Sequence, residues 1–285
     1  PVQLSPVMSS PSKIIDKVVS QDKKKQDKTL REFADAFINK LPQEDIDSVS
    51  SGELAEIIKQ HWALGKARKK GDIKINVTDL TLTTKQGGRP KTVIDVVCDD
   101  MAFTINSVAA ELTRRGYKMK RFFHPRLQTE QEAKKARKQS EEKDDRNAGR
   151  RFGTSHLHIV LDVLVDAKEA RSLKTSLESI LKDVALSNKD WPAMLDFLKD
   201  TMSRIEQNLK VFPEKAVKEH QDFLNYLYND NFTLLGTCEF DLTKKTPTYT
   251  RNYGLLSNDR SQPYLDFDTE GMPLWTNIGN SKRSP

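Results

Sequence analysis

The pattern of apolar and polar positions is clearest over residues 93–127, where it predicts a strand, a helix and a second strand. Val93, Ile94, Val96, Val97 and Cys98 form a short apolar run, as in a strand covered on both faces. Asp99 and Asp100 follow as candidate N-caps, where a carboxylate accepts orphan backbone N–H bonds and suits the positive end of a helix dipole. Met101, Ile105, Val108 and Leu112 recur at helical spacing and give one buried stripe. Gly116, just after Arg114 and Arg115, is placed to end that helix in a left-handed turn. Tyr117, Met119 and Phe123 then alternate with Lys118 and Lys120, the pattern of a half-solvated strand, which Pro125 limits.

The flanking patterns complete an α+β outline. Residues 1–26, rich in Ser, Pro, Lys and Gln, read as a disordered tail in which Ile14, Ile15, Val18 and Val19 could form a short helix. Segment 27–71 reads as a helical pair: one stripe runs Leu30, Phe33, Ala34, Phe37, Leu41 and a second Leu54, Ile57, Ile58, His61, Trp62. Segment 72–189 follows as an α/β module. Residues 73–82 alternate as a strand, and GGRP at 87–90 turns into the central strand without the ending of a phosphate-cradling loop. Leu157, Ile159, Leu161 and Val163 mark a further strand, after which Asp166 caps a helix bearing Ala170, Leu173, Leu177, Ile180 and Val184.

This is most of a ferredoxin-like βαββαβ sheet, with the N-terminal helical pair before it and more helices and strands after it. The fourth strand has only VALS, 184–187, to form it; 73–82 and 231–240 are the alternatives for its place. Segment 190–256 reads as two helices, begun by Asp190 and Pro213, then strands at 231–240 and 247–256. Residues 257–285 read as an extended tail.

Composition narrows the function classes. The 285 residues, 36% hydrophobic and 31% charged, suit a soluble protein of one large or two modest domains. No apolar run approaches the roughly 20 residues of a membrane helix. The chain begins at Pro1 without a basic-then-apolar leader, so it reads as a fragment with no export signal. Cys98 and Cys238 each fall within an apolar strand, favouring buried free thiols in a reducing cytoplasm over a disulfide. The net charge of +6 is concentrated: residues 114–151 carry 14 Lys/Arg against 6 Asp/Glu. Its centre, 131–151, mixes both signs and has almost no aromatics for stacking on bases, so a solvated charged insertion, 128–152, is favoured over a nucleic-acid-binding domain.

The segment DDMAFTINSVAAELTRRG resembles the acid-acid-Met-Pro-Phe-x-x-Asp-Ser-Val-x-x-Glu-Leu-x-x-x-Gly pattern near the N-terminus of the large bacterial NAD-specific glutamate dehydrogenases. FFHPRL, SHLHIVLDVL, DWPAML, FLNYLYNDNFTLLGTCEFDL and YGLLS follow in the same order, so the resemblance spans residues 27–257. It implies an N-terminal, ACT-like regulatory and assembly region. The parent reaction, oxidative deamination of L-glutamate to 2-oxoglutarate with NAD, belongs to a core further along the polypeptide. No cofactor is therefore expected in this fragment and NAD in the parent. Downstream domains and a homo-oligomer are the implied partners, in the cytoplasm.

In ACT-like modules the loop after the first strand often faces an amino-acid effector. The resemblance thus nominates Asp99, Asp100, Met101, Ala102, Phe103, Asn106 and Ser107 as effector-binding residues. Backbone N–H groups there suit a ligand carboxylate and an aspartate its ammonium; plain capping by Asp99 or Asp100 is the competing account. Ala102 and Asn106 depart from the family's proline and aspartate. His156 and His158, two apart on one strand, share a face and can bind zinc given a third ligand, for which His124 is the nearby candidate. Partly exposed sheet histidines are the favoured reading, and no metal is assigned. His158 matches a histidine of the family's Ser-x-x-His motif, whereas His156 departs from it. No nucleophile–base–acid set, dinucleotide turn or P-loop stands out, so no catalytic residue is assigned. A ligand-free domain-docking module is the alternative to an effector-binding one.

Overall fold

The computed structural model describes residues 11–20, 28–66, 68–79, 90–129, 132–135, 137–138, 153–207, 214–241 and 248–257. The helices are α1 Pro11–Ser20, α2 Lys28–Ile38, α3 Gln43–Asp47, α4 Ser51–Lys66, α5 Thr104–Arg114, α6 Ala167–Gln207 and α7 Glu214–Tyr226. The strands are β1 Lys74–Asp79, β2 Thr92–Asp99, β3 Met119–Phe123, β4 Arg126–Leu127, β5 Thr154–Leu161, β6 Gly236–Asp241 and β7 Thr248–Gly254. The chain divides into two compact units, 1–182 and 183–285.

In the first unit the sheet runs β1-β2-β5-β3, with β4 also on β5, and every pairing is antiparallel. Lying on either side of β5, β2 and β3 run parallel to each other and are joined by α5, a split βαβ. Alternation along the strands sends two sets of side chains to opposite faces. Ile75, Ile94, Val96, Cys98, Leu157, Ile159 and Leu161 pack with Val108 and Leu112 of α5 and Leu173, Leu177 and Leu181 of α6. On the other side Phe123 and Leu127 join a core built from α1, α2 and α4, including Ile14, Val18, Phe37, Leu54 and Ile58. A sheet covered on both faces explains why β2 and β5 are buried along almost their whole length.

The α+β class holds, but the last strand of the expected βαββαβ order does not form. VALS lies inside α6, one helix of 41 residues where two were expected. No Gly or Pro separates the two apolar stripes there, and Pro192 removes only one N–H from the ladder. The vacant edge beside β2 is taken by β1, with Ile75 opposite Val96 and Val77 opposite Ile94. Residues 11–20 are likewise helix rather than tail: Ile14 and Val18 are fully buried, because their i, i+4 spacing puts both on one face.

The start of α5 also differs from expectation. Its N-cap is Phe103, in the left-handed region at φ 67, and no side chain caps it, so Asp99 and Asp100 lie outside the helix. Its end follows the sequence: Gly116 has φ 78, and the Tyr117 N–H donates to Leu112 O at 2.9 Å.

In the second unit Met194, Leu198 and Leu234 form a buried core with Trp191, Leu224, Tyr228 and Tyr253 around it. The expected strand pair exists as the antiparallel β6–β7 hairpin. Arg251 ties it to α6, donating to Glu239 and to Asp200 at 2.8 Å each. Residues 1–10, most of the charged insertion and the tail from 258 lie outside the described residues.

Candidate functional site

Among the described residues of the first unit, two groups of side chains are candidates for a site. One is at the β2–α5 junction. Asp99 is half-buried and accepts from Arg68 Nη1 at 2.6 Å and from the Gly71 N–H at 2.9 Å. Asp100 is buried, lies 3.8 Å from Arg126, and donates its N–H to Gly153 O at 3.1 Å. Both carboxylates therefore face guanidinium groups, which reduces their repulsion of an anion at the head of α5. Phe103 and Asn106 are exposed, while Met101, Ala102 and Ser107 are half-buried. Phe103 is the only non-glycine with positive φ among the described residues, and the residue is 48% exposed.

The second place is inside the fold. Asp95 stands in the middle of β2, directly opposite His158 on β5. His61, on the buried stripe of α4, comes down onto the same point. His61, Asp95 and His158 are 0–2% exposed, and His156 is also 2% exposed. His158 Nδ1 is 2.7 Å from Asp95 Oδ1, and His61 Nε2 is 3.1 Å from the same oxygen. His61 Nδ1 meets His156 Nδ1 at 3.4 Å, and His156 Nε2 meets Thr154 Oγ1 at 3.1 Å. Aromatic rings close the surroundings: Phe123 stacks on His158 with centroids 5.7 Å apart, and Phe37 lies 5.4 Å from His61.

Burial disfavours the charge on Asp95, but the imidazoles of His158 and His61 outweigh it and hold the carboxyl well below the ordinary range. Burial acts unopposed on His156, with His61 and Arg68 adding repulsion, and pushes its pKa down to about 2. That imidazole is neutral.

The histidine reading made from spacing is thus corrected. His156 and His158 do share a face, but they are buried rather than partly exposed. His124 is not their neighbour in a cluster; its Nε2 sits 2.5 Å from Ser155 Oγ, whose side chain belongs to the opposite face of β5. The residues that join them are His61 and Asp95. Two signals for this were present in the sequence. An aspartate interrupts an otherwise apolar run in a doubly covered strand, where a charge requires a partner. His61 also occupies a core position of the second helical stripe.

The comparisons with known proteins bear on the chain as a whole. The family model described as "Glutamate dehydrogenase, ACT1 domain" matches residues 33–177, which contain the whole five-stranded sheet and its buried cluster. The chain belongs to this family. It is 22% identical over 211 residues to an NAD-specific glutamate dehydrogenase of Pseudomonas aeruginosa and 25% identical over 213 residues to one of Halomonas elongata. Each alignment covers 74% of the chain but only 13% of the relative, so the chain spans about an eighth of the curated proteins it matches. No solved structure matches.

Proposed function

We propose that the chain is the N-terminal regulatory and assembly segment of a large NAD-specific glutamate dehydrogenase, and that the β2–α5 junction binds an amino-acid effector. Oxidative deamination of L-glutamate to 2-oxoglutarate with NAD is then the work of domains further along the polypeptide, in a cytoplasmic homo-oligomer. This chain contributes the regulatory layer. Coupling requires the effector to bind two states of the segment with different affinities, typically by about 1–3 kcal/mol.

One observation carries the effector reading. A bulky aromatic is held in a left-handed conformation at the solvent-facing head of α5, at a cost of about 1–2 kcal/mol, and such backbone outliers cluster at ligand clamps. Exposed Asn106 and half-buried Ser107 lie in the first turn of the same helix, whose outward N–H groups suit a carboxylate. Calorimetry with a panel of free amino acids tests this on the wild type and on Phe103→Gly. The glycine relieves the backbone and raises stability while weakening effector binding. Heat from no amino acid, or unchanged affinity in Phe103→Gly, removes the effector site.

Exposed apolar side chains favour a second reading, docking without a ligand. In the first unit Met119, Val163 and Leu164 are 41–43% exposed, and Met119 pairs with Leu161 at the end of β5 where Val163 and Leu164 follow. In the second, Phe223, Tyr226, Phe232 and Leu235 are 52–60% exposed. Sedimentation with the downstream domains of the same polypeptide supports docking if Leu164→Asp or Phe223→Asp abolishes the complex. The nucleic-acid reading loses ground at Arg114, Arg115, Arg121 and Arg126, each of which faces a carboxylate within 4 Å.

A further inference from the structure

We propose that His61, Asp95 and His158 bind one divalent transition-metal ion of the class to which zinc belongs, which fastens α4 to the centre of the sheet. This site is separate from the β2–α5 junction and does not depend on an effector. The ligand-bearing atoms of the three side chains lie within 4.8 Å of one another, and all three residues are at least 98% buried.

The pattern of satisfied and unsatisfied atoms distinguishes an ion site from an ordinary polar core. His61 Nε2 is 3.1 Å from Asp95 Oδ1 but off the line of a hydrogen bond, and it has no partner; neither have Asp95 Oδ2 and His158 Nε2. Unpaired buried polar atoms each cost about 1–3 kcal/mol, so His61 Nε2 and Asp95 Oδ2 call for a common partner, and an ion between them takes His158 through Nδ1, the ring nitrogen that faces Asp95. Two donors held by one tetrahedral ion at about 2.0–2.2 Å lie roughly 3.3 Å apart without pointing at each other, which is how His61 and Asp95 stand. The surroundings fit as well. Coordination through Nε2 leaves the His61 Nδ1–H to donate to neutral His156, whose Nε2–H donates in turn to Thr154. Outer hydrogen bonds of this kind orient a metal-bound imidazole.

Donor chemistry sets the class of ion. Two imidazoles and a carboxylate suit zinc, cobalt(II), nickel(II) and iron(II), whereas magnesium and calcium require more oxygens. With the second oxygen of Asp95 the protein itself offers four donors. In so enclosed a place the ion enters during folding, and its binding energy becomes folding energy.

The test uses the 285-residue chain, unfolded with chelator and refolded with or without zinc or cobalt(II) chloride. We expect one ion per chain to survive gel filtration, cobalt bands of tetrahedral intensity, and a higher unfolding temperature with zinc. His61→Gln and His158→Gln lose the ion. His156→Gln keeps it with roughly 10–100-fold weaker affinity, and His220→Gln, outside the cluster, is unchanged. Should the ligand variants fail to refold, the cobalt spectrum of the wild type and the affinity of His156→Gln decide. Refolding to the same stability with no ion retained overturns the proposal, as does retention lost in His220→Gln.

Discussion

Arg115, at the end of α5, donates to Glu169 on α6 at 2.6 Å while its Nε holds Glu111 at 2.6 Å. Its remaining nitrogen reaches Ser176 Oγ at 2.7 Å, and Tyr117 shares Glu169. One side chain therefore joins the two helices that cover the same face of the sheet. Glu111 is 5% exposed, and hydrogen bonds from Arg114, then from Arg115, overcome its burial and hold its pKa down to about 2.

The pH dependence follows from that depression. A carboxylate with a folded pKa below its unfolded value near 4.3 stabilises the fold above that value and loses the contribution as pH falls toward 2. Arg114 is 59% exposed, so the contribution is discounted to on the order of 2 kcal/mol. Arg115→Gln should therefore lower stability at pH 7 by about that amount and flatten the acid limb between pH 4.3 and 2. Urea unfolding at pH 7, 4 and 3 checks both. An unchanged acid limb means Arg114 alone holds Glu111.

Two glycines should respond to alanine with opposite signs. Gly65, near the end of α4, has room: an added Cβ meets His156 Cε1 and Val97 Cγ1 at 3.7 Å, ordinary contact. Gly65→Ala should stabilise by about 0.5 kcal/mol through helix propensity. Gly153 has φ +145, and a Cβ there would lie 2.7 Å from Leu127 O and from Gln128 Cγ. Gly153→Ala should cost about 1–3 kcal/mol, because it forces β4 away from the start of β5. Thermal unfolding of the two variants side by side gives the signs.

How far the sequence reveals the fold depends on whether a pattern is local. β2, α5 and β5 are legible because the apolar period and Gly116 act within a few residues. The edge strand is not, since β1 and VALS carry similar apolar content and only long-range pairing with β2 decides between them. The Asp99 cap failed for a different reason: Arg68, 31 residues away, claims that carboxylate and Phe103 begins the helix. The histidine pair was legible as a pair, since period 2 puts His156 and His158 on one face. Its partners were not, since only tertiary packing brings α4 and β2 to it.

The two thiols should differ in reactivity. Cys98 is fully buried in β2, and burial pushes its pKa up to about 12. Cys238, on β6, is half-buried and raised by burial alone. The thiolate is the reactive species, so at pH 8 a disulfide-exchange reagent should label Cys238 in the native protein and Cys98 only at the rate of unfolding. Peptide mapping of the labelled sites distinguishes them. Equal labelling rates would mean that β2 opens locally.

His124 follows β3 and lies beside the Ser155 hydroxyl. Burial, reinforced by Arg126, pushes its pKa down to about 4. The ring is then neutral at pH 7, and the Ser155 hydroxyl can donate to Nε2 across 2.5 Å. The sign is that of a buried neutral base. The unfolded chain takes up a proton below pH 6.5 and the folded chain only near 4, so stability falls as pH drops through that window. The slope for one proton is about 1.4 kcal/mol per pH unit. His124→Gln keeps a hydrogen-bonding group near the position of Nε2 and removes the proton site. It should match the wild type near pH 8 within about 1 kcal/mol and lose stability less steeply between pH 6.5 and 4. Unfolding free energies at pH 8, 6 and 5 measure the difference, and identical slopes would place the protonating group elsewhere.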